Sequence, residues 1–294
     1  MIVIDYSQTI ISTLMAEIGG RTDIEISIPL LRHMVINNIR SHKVKFGAEY
    51  GEVVIACDSR KYWRKDYFPL YKANRKKARE ESGFDWTTIF DAISTIKEEL
   101  KANFPYRVVE VEGAEADDVI ASLAMYTAKE ELEYVGLYPK AKPFLVISGD
   151  HDFIQLQTHD HVKQYSPVHK KFVKADISPD IYVIEHTIRG DKGDGIPNVL
   201  SPDDCIVKGE RQAKIMTKKL QEWIEIPSSM PQDDTFKRNY KRNQTLVDFN
   251  FIPNELREQI INTYKEQGGK DKSKLLNYFI ENRMKNMIDL IGDF

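Results

Sequence analysis

Three carboxylates fall within four residues in the run Glu115-Ala116-Asp117-Asp118. The apolar residues that follow are spaced as in a helix packed on a core. On that helix Glu115 and Asp118 lie three positions apart and share a face, so both side chains can point into one site. Two like charges held this close require a positive group between them. The alternative interpretation is that acids are common in the first turn of a helix, where the macrodipole favours them.

Asp5, Asp58 and Asp150 each come directly after, or one residue after, a continuous apolar run typical of a buried strand. A single aspartate at such a place is usually a turn former or the cap of the next helix. Strands that alternate with helices, however, predict a parallel sheet, and ligands bind beyond the carboxyl ends of its strands. Three aspartates at that edge, together with the acidic helix, favour one shared site.

The acids at the two Gly/Asp-rich segments near residues 150 and 191 extend this set to nine candidate metal ligands: Asp5, Asp58, Glu115, Asp117, Asp118, Asp150, Asp152, Asp191 and Asp194. Clustered carboxylates without His or Cys select hard divalent cations such as Mg²⁺. Nine acids suit two ions roughly 3.5–4 Å apart, which activate a water and stabilise the leaving oxygen of a phosphodiester. His151 is not included, because in an extended segment its side chain points away from those of its neighbours.

The stretch from Ser59 to Arg79 holds nine basic residues, one acid and several interleaved aromatic residues. Cations for phosphates and aromatic faces for unstacked bases are typical of an element that binds single strands. The alternative is a solvated basic helix. A weaker signal is the Gly-rich loop 190–195, which precedes a basic helix expected over 210–226. The candidate nucleic-acid-binding residues are Arg60, Arg64, Tyr71, Lys72, Arg75, Lys76, Arg79, Lys192, Lys208, Arg211 and Lys214.

The composition is that of a soluble globular protein, with 294 residues of which 41% are hydrophobic and 30% charged. No apolar run approaches the roughly 20 residues of a membrane span, and no signal peptide is expected. Cys57 and Cys205 form neither a disulfide framework nor a zinc pattern, which predicts a reducing, cytoplasmic setting. The net charge of −3 hides an uneven distribution, because the chain is basic once the nine candidate ligands are set aside.

The chain is predicted to contain two parts. Residues 1–185 are expected to form an α/β domain with a parallel central sheet flanked by helices. Residues 186–294 are expected to form an all-helical, duplex-binding subdomain, with helices over 210–226, 233–249, 253–264 and 274–291.

Taken together, these residues resemble the 5′-nuclease (flap endonuclease) family, and within it the phage ribonuclease H group. The likeness runs along nearly the whole chain. It rests on Tyr62-Trp63-Arg64, Tyr71-Lys72-Ala73-Asn74-Arg75, Lys77-Ala78-Arg79-Glu80-Glu81, Glu115-Ala116-Asp117-Asp118, Ser148-Gly149-Asp150-His151-Asp152, Val168-His169-Lys170-Lys171 and Gly190-Asp191-Lys192.

The resemblance implies a PIN-like nuclease core, a helical arch over about 59–85 and a helix-hairpin-helix-like element after Asp191. In that family the first metal ion would be held by Asp5, Asp58, Glu115, Asp118 and Asp150. The second would be held by Asp152, Asp191 and Asp194, with Asp117 close by. Lys72 and Arg75 would act at the scissile phosphate beside the catalytic acids Asp5, Asp58, Asp118 and Asp150.

The implied activity is Mg²⁺-dependent 5′→3′ exonuclease and flap endonuclease cleavage that removes RNA primers and adjacent DNA from lagging-strand fragments. Two Mg²⁺ ions are implied, with Mn²⁺ as a substitute. Because Gly195-Ile196-Pro197-Asn198 departs from the family's usual Asn-Ile-Pro-Gly, a monovalent-cation site there is in doubt. Expected substrates are branched DNA and RNA–DNA duplex with a 5′ single strand, bound by a monomer.

Two protein partners are also implied, a single-stranded-DNA-binding protein and a sliding clamp. The clamp hypothesis has Leu290, Ile291 and Phe294 anchoring the C-terminal tail, whereas helical spacing of the apolar residues there favours an ordinary core helix. Two rival functions remain. One is an aspartate-nucleophile phosphatase built on Asp5, although Ser7 stands where that chemistry usually has a second acid. The other is a non-catalytic junction-binding protein, which has no use for so many acids.

Overall fold

The computed structural model describes residues 1–19, 21, 26–135, 138–268 and 270–294. Its centre is a six-stranded sheet with the order β3-β2-β1-β6-β7-β8, in which only the edge strand β8 runs antiparallel to its neighbour. A separate antiparallel hairpin is formed by β4 and β5. The strands are β1 Ile2–Asp5, β2 Val53–Ala56, β3 Arg107–Val109, β4 Leu132–Val135, β5 Tyr138–Ala141, β6 Phe144–Ile147, β7 Val162–Ser166 and β8 Lys171–Val173.

Helices cover both faces of this sheet, which confirms the predicted α/β core. The α-helices are α1 Tyr6–Ile18, α2 Ile28–Tyr50, α3 Trp63–Tyr67, α4 Asn74–Glu81, α5 Trp86–Asn103, α6 Ala116–Lys129, α7 Pro179–Arg189, α8 Thr217–Glu225, α9 Asp234–Val247, α10 Asn254–Glu266, α11 Leu275–Glu281 and α12 Lys285–Ile288. Short 3₁₀ helices span His151–Thr158, Pro227–Ser229, Phe249–Phe251 and Ile291–Asp293.

The alternation of side chains along each strand places one hydrophobic core on each face of the sheet. Ile2 and Ile4 of β1 point to one face and pack with residues of α1, α2 and α5. Val3 points to the other face and packs with residues of α6 and α10. Both faces of a parallel sheet are therefore buried, which explains why its strands read as continuous apolar runs.

Two helices predicted from the sequence differ in the structure. The segment 210–216 forms no regular secondary structure, and α8 begins only at Thr217. Side chains hold this segment against the preceding loop, because Ala213 donates its backbone N–H to Ser201 Oγ and Asn198 Nδ2 donates to the carbonyl of Ala213. The helix expected over 274–291 is broken into α11 and α12, since Arg283 adopts a left-handed backbone with φ of 57°.

The C-terminal tail packs on the core, which argues against Phe294 as the anchor of a sliding clamp, and the clamp itself stays a prediction. Phe294 is only 3% exposed. Its ring lies 5.7 Å from the ring of Phe104 and 5.4 Å from that of Phe279, measured between centroids. Leu290 and Ile291 are partly buried against the same core. The alternative interpretation, a tail packed on its own domain, is the one the structure supports.

The predicted boundary between an α/β domain and a helical subdomain, at residues 185/186, stays a prediction. Helix α7 crosses it, and residues of α10 and α11 fill the two cores beside the sheet rather than a separate core. Between the end of α7 and Thr217, all of it described, the chain forms turns, one isolated bridge and irregular backbone. No second helix therefore closely follows the loop at Asp191, as a helix-hairpin-helix would require. In the described part of the chain, no helix is long and apolar enough to cross a membrane.

Candidate active site

Four carboxylates converge at the carboxyl edge of the central sheet. Asp5 ends β1, Asp58 and Asp150 follow β2 and β6, and Asp117 projects from the first turn of α6. Together they line a cavity of about 300 Å³. Two cations, Lys72 and Arg75, line the same cavity from the segment between α3 and α4 and the start of α4. The sheet therefore collects acids that are more than a hundred residues apart in the chain, as the strand-end pattern predicts.

Asp5 and Asp58 also cap helices. An aspartate at the end of a strand is therefore both a helix cap and part of the shared site. Asp5 accepts from the backbone N–H of Gln8 at 3.2 Å and from Ser148 Oγ at 3.1 Å. Asp58 accepts from the N–H of Ala116 at 2.9 Å, at the start of α6. Capping fixes one oxygen of each carboxylate, and at Asp5 the hydroxyl of Ser148 holds the other oxygen as well.

The carboxylates of this cavity repel one another. Burial, followed by the charges of Asp58 and Asp150, raises the pKa of Asp5 to about 8. Burial and the charges of Asp150 and Asp5 raise the pKa of Asp117 well above its usual value, against the opposing effect of Lys72. A divalent cation would relieve this repulsion, and an all-oxygen donor set suits a hard cation. The residues present therefore fit the metal ion that the resemblance implies.

Glu115 and Asp118, predicted to be metal ligands, are held elsewhere. Both are buried, at 1% and 0% exposure, and neither is among the residues that line the cavity described above. Arg64 Nη1 lies 2.9 Å from Glu115 Oε2, and Arg64 Nη2 lies 2.8 Å from Asp118 Oδ1. The two acids do share a helix face, as predicted, but the positive group between them is this guanidinium. The prediction that Asp118 is catalytic is thus not supported, and Asp117 takes its place in the cavity.

The base of the arch is tied to the loop after α7. Lys72 Nζ lies 2.6 Å from Glu115 Oε1 and 3.5 Å from Asp194 Oδ2, and Arg75 forms an ion pair with Asp194. Gly195 permits this approach, since a Cβ at that position would lie 2.9 Å from Asn74 Oδ1. Burial lowers the pKa of Lys72, but the charges of Asp194 and Glu115 outweigh it and raise the pKa overall. Lys72 therefore stays protonated.

A second cluster lies beside the first and contains a residue that the sequence interpretation missed. Asp152, His186 and Asp191 each offer one ligand atom, and these atoms all lie within 4.8 Å of one another. Burial and the neighbouring Asp150 raise the pKa of Asp152 to about 7. His186 occupies the last turn of α7, five residues before Asp191. The search for acids alone overlooked it, although a helix that ends just before Asp191 places His186 about one turn back.

The predicted nucleic-acid contacts divide into two groups. Arg64 and Tyr71 are buried, at 3% exposure each, and bind the acidic helix instead of facing solvent. Arg79 is half-buried and its guanidinium lies 5.3 Å from the ring centroid of Phe90. Lys72 is largely buried in its ion pairs, as described above. The remaining candidates are exposed: Arg60, Arg75, Lys76, Lys192, Lys208, Arg211 and Lys214.

Two family profiles match this chain. The 5′-3′ exonuclease, N-terminal resolvase-like domain matches residues 27–183, and the C-terminal domain of T4 RNase H matches residues 177–294. Ribonuclease H of Enterobacteria phage T4 is 33% identical over 302 aligned positions, which cover 99% of this chain and 95% of that protein. The chain belongs to the 5′-3′ exonuclease family. Its homologues are nucleases, hydrolases that act on phosphodiester bonds.

Other proteins resemble this chain over a shorter stretch or at lower sequence identity. The flap endonuclease Xni of Shewanella sp. (strain MR-4) is 30% identical over 144 residues, which cover 47% of this chain and 48% of that protein. Among solved structures, the bacteriophage T5 flap endonuclease in a pseudo-enzyme–product complex with DNA and metal ions superposes with a TM-score of 0.63. That match has 16% sequence identity and covers 90% of this chain and 98% of the other. At this identity it supports the fold alone.

Proposed function

We propose that this family member is a Mg²⁺-dependent 5′→3′ exonuclease and flap endonuclease that removes RNA primers and adjacent DNA from lagging-strand fragments. The observation that carries the proposal is the convergence of Asp5, Asp58, Asp117 and Asp150 on one cavity together with Lys72 and Arg75. Carboxylates hold divalent cations, and the two basic groups face the place where a phosphodiester would meet them.

Asp5, Asp58, Asp117 and Asp150 are the residues that would hold the catalytic ion. When bound there, divalent cations supply an activated water and stabilise charge on the phosphodiester oxygens. Arg75 binds and orients the scissile phosphate, since its side chain is 47% exposed and already at the cavity. Lys72, fixed by Glu115, places a permanent positive charge at the same edge.

The exposed basic residues of the arch and of the loop after α7 support binding through phosphates. Such contacts position a substrate but carry no base sequence, so we expect cleavage to depend on the structure of a junction. The names of the relatives, a ribonuclease H and flap endonucleases, support RNA–DNA duplex and branched DNA with a 5′ single strand as substrates. The relation to a phage enzyme supports action in the cytoplasm of an infected bacterium. A single-stranded-DNA-binding protein as partner stays a prediction.

A 5′-labelled flap substrate tests the proposal. We expect release of the labelled flap in Mg²⁺ and none in EDTA, and we expect Asp117→Asn to abolish cleavage while junction binding is kept. Cleavage that persists in EDTA, or that continues at the wild-type rate in Asp117→Asn, contradicts the proposal. A blunt duplex of the same sequence is the control for dependence on structure.

The same experiment separates the two rival functions. A phosphatase would release inorganic phosphate from a 5′-phosphorylated strand and leave the flap intact, and Ser7 lines the cavity where that chemistry usually has a second acid. A non-catalytic junction-binding protein would retain the labelled strand unchanged at every metal concentration.

A further inference from the structure

The cluster of Asp152, His186 and Asp191 differs in chemistry from the all-carboxylate cavity beside it. His186 Nε2 lies 3.7 Å from Asp152 Oδ1 and 3.5 Å from Asp191 Oδ2. This nitrogen is buried and has no hydrogen-bond partner among the described residues. A buried ring nitrogen that lies between two carboxylates, at the outer limit of hydrogen-bond distance from Asp191 and beyond it from Asp152, is a poorly satisfied polar group that a cation would satisfy.

The spacing of these atoms suits a shared ion. Two ligand atoms that bind one cation at about 2.1–2.2 Å and subtend roughly 90–110° lie about 3.0–3.6 Å apart. The two separations at His186 Nε2 fall at or just beyond the upper end of that interval, and all three ligand atoms lie within 4.8 Å of one another. Binding of one ion by all three residues therefore requires the cluster to contract.

The surroundings leave the three ligand atoms available. Asp191 Oδ1 accepts from the backbone N–H of Asp194 at 3.0 Å, which leaves Oδ2 to face the histidine. The ring of Tyr182 packs on the imidazole at a centroid distance of 5.5 Å and limits its rotation. Asp152 lies in the 3₁₀ helix after β6, which packs against α7, so the elements that carry the cluster are in contact.

We propose that His186 is a nitrogen ligand of the second metal site and makes that site prefer Mn²⁺ to Mg²⁺. Mg²⁺ is a hard cation bound mainly by oxygen ligands and water, whereas imidazole nitrogen suits first-row transition metals. The inference deepens the proposed function and rests on it for the presence of a second ion. It adds that the two sites differ, with oxygen ligands alone in the cavity of Asp5 and a mixed donor set at His186.

Electron spin-echo spectroscopy of the full chain loaded with Mn²⁺ tests this directly, because a bound imidazole nitrogen modulates the Mn²⁺ echo. We expect ¹⁴N modulation in the wild type and its loss in His186→Gln. The matched control is His151→Gln, because His151 lies between Asp150 and Asp152 but is exposed, and it should keep the modulation. Wild-type protein with ¹⁵N-labelled histidine should show the corresponding change of nitrogen frequency.

Calorimetric titration gives the second measurement. His186→Gln should weaken binding of Mn²⁺ at the second site about tenfold or more, while binding of Mg²⁺ changes by less than about threefold. Absence of nitrogen modulation in the wild type, its survival in His186→Gln, or its loss in His151→Gln overturns the assignment. None of these outcomes requires nuclease activity, so failure of the ligand assignment is distinguishable from failure of the proposed function, which flap cleavage in Mg²⁺ measures separately.

Discussion

Arg64 Nη2 lies 2.8 Å from Asp118 Oδ1, with both side chains almost completely excluded from solvent at 3% and 0% exposure. The same guanidinium contacts Glu115 and donates from Nε to the carbonyl of Leu246 in α9. One buried cation therefore joins the base of the arch, the acidic helix and the C-terminal half of the chain. Its role is to hold these elements in register, so that Asp117 and Lys72 face the cavity.

Replacing Arg64 by Met should destabilise the protein strongly. The variant leaves Glu115 and Asp118 buried near each other without this counter-charge, and losing one partner of a buried ion pair costs about 3–5 kcal/mol. Urea denaturation measures the loss, with the exposed Arg60→Ala as control, expected to change stability by less than about 0.5 kcal/mol. A similar small change in both variants would show that the buried pair contributes little.

Asp118→Asn and Asp150→Asn should separate the two kinds of acid. Asp150→Asn removes a carboxylate that lines the cavity and should abolish cleavage with little change in melting temperature. Asp118→Asn leaves the buried Arg64 with one acid fewer, so its first effect should be a lower melting temperature. Flap cleavage and thermal melting are measured for both variants. If Asp118→Asn is inactive but as stable as the wild type, Asp118 is a catalytic residue.

Arg75→Ala should lower turnover more than affinity. Groups that stabilise charge developing in the transition state contribute about 100-fold or more to kcat. The control is Lys61→Ala, since Lys61 is an exposed cation of the same arch. This variant should weaken binding only, and it should reduce the slope of log K against log salt concentration by about one. If both variants weaken binding equally and neither lowers turnover, the arch binds the substrate electrostatically and has no catalytic role.

The contribution of His42 to stability should fall on acidification, whereas the raised pKa values of Asp5 and Asp152 act in the opposite direction. Burial lowers the pKa of this histidine to about 4, below its usual 6.5. The folded state therefore favours neutral imidazole, so the contribution is fully present above pH 6.5 and is lost progressively as the pH falls towards 4. The loss should reach about 3 kcal/mol. His42→Phe, which can pack on Phe46 and Tyr165, should lack this loss. The difference in unfolding free energy between variant and wild type should therefore shift by about 3 kcal/mol in favour of the variant as the pH falls from 6.5 to 4.

Phe294→Ala should cost about 3–5 kcal/mol, since the ring is buried against Phe104 and Phe279. The exposed Ile280→Ala, in the adjacent α11, is the control and should be nearly neutral. A melting temperature unchanged by Phe294→Ala would mean that the tail is not docked in solution and would revive a role for it in binding a partner.

The amino-acid sequence alone determined the parallel sheet and the edge at which the site lies. Apolar runs that end at Asp5, Asp58 and Asp150 specify buried strands, and the geometry of a parallel sheet then brings their carboxyl ends together. The motifs of the arch and of the acidic helix were sufficient to identify the family. These signals are local, because each depends on a few neighbouring residues and on the period of a strand or a helix.

Only the tertiary structure decided which acids face the cavity. Helical spacing groups Glu115 with Asp118 but does not show which of the three acids face the cavity. The difference arises because Arg64, more than 50 positions earlier, is buried against Glu115 and Asp118. The position of His186 depends in the same way on how α7 packs against the 3₁₀ helix that carries Asp152. The spacing of the apolar residues at the C-terminus likewise fits either a core helix or a tail that binds a partner. Only the contacts with Phe104 and Phe279 show that the tail is part of the core. Long-range pairing sets the local charge and burial of each group, and the spacing of residues along the chain does not encode it.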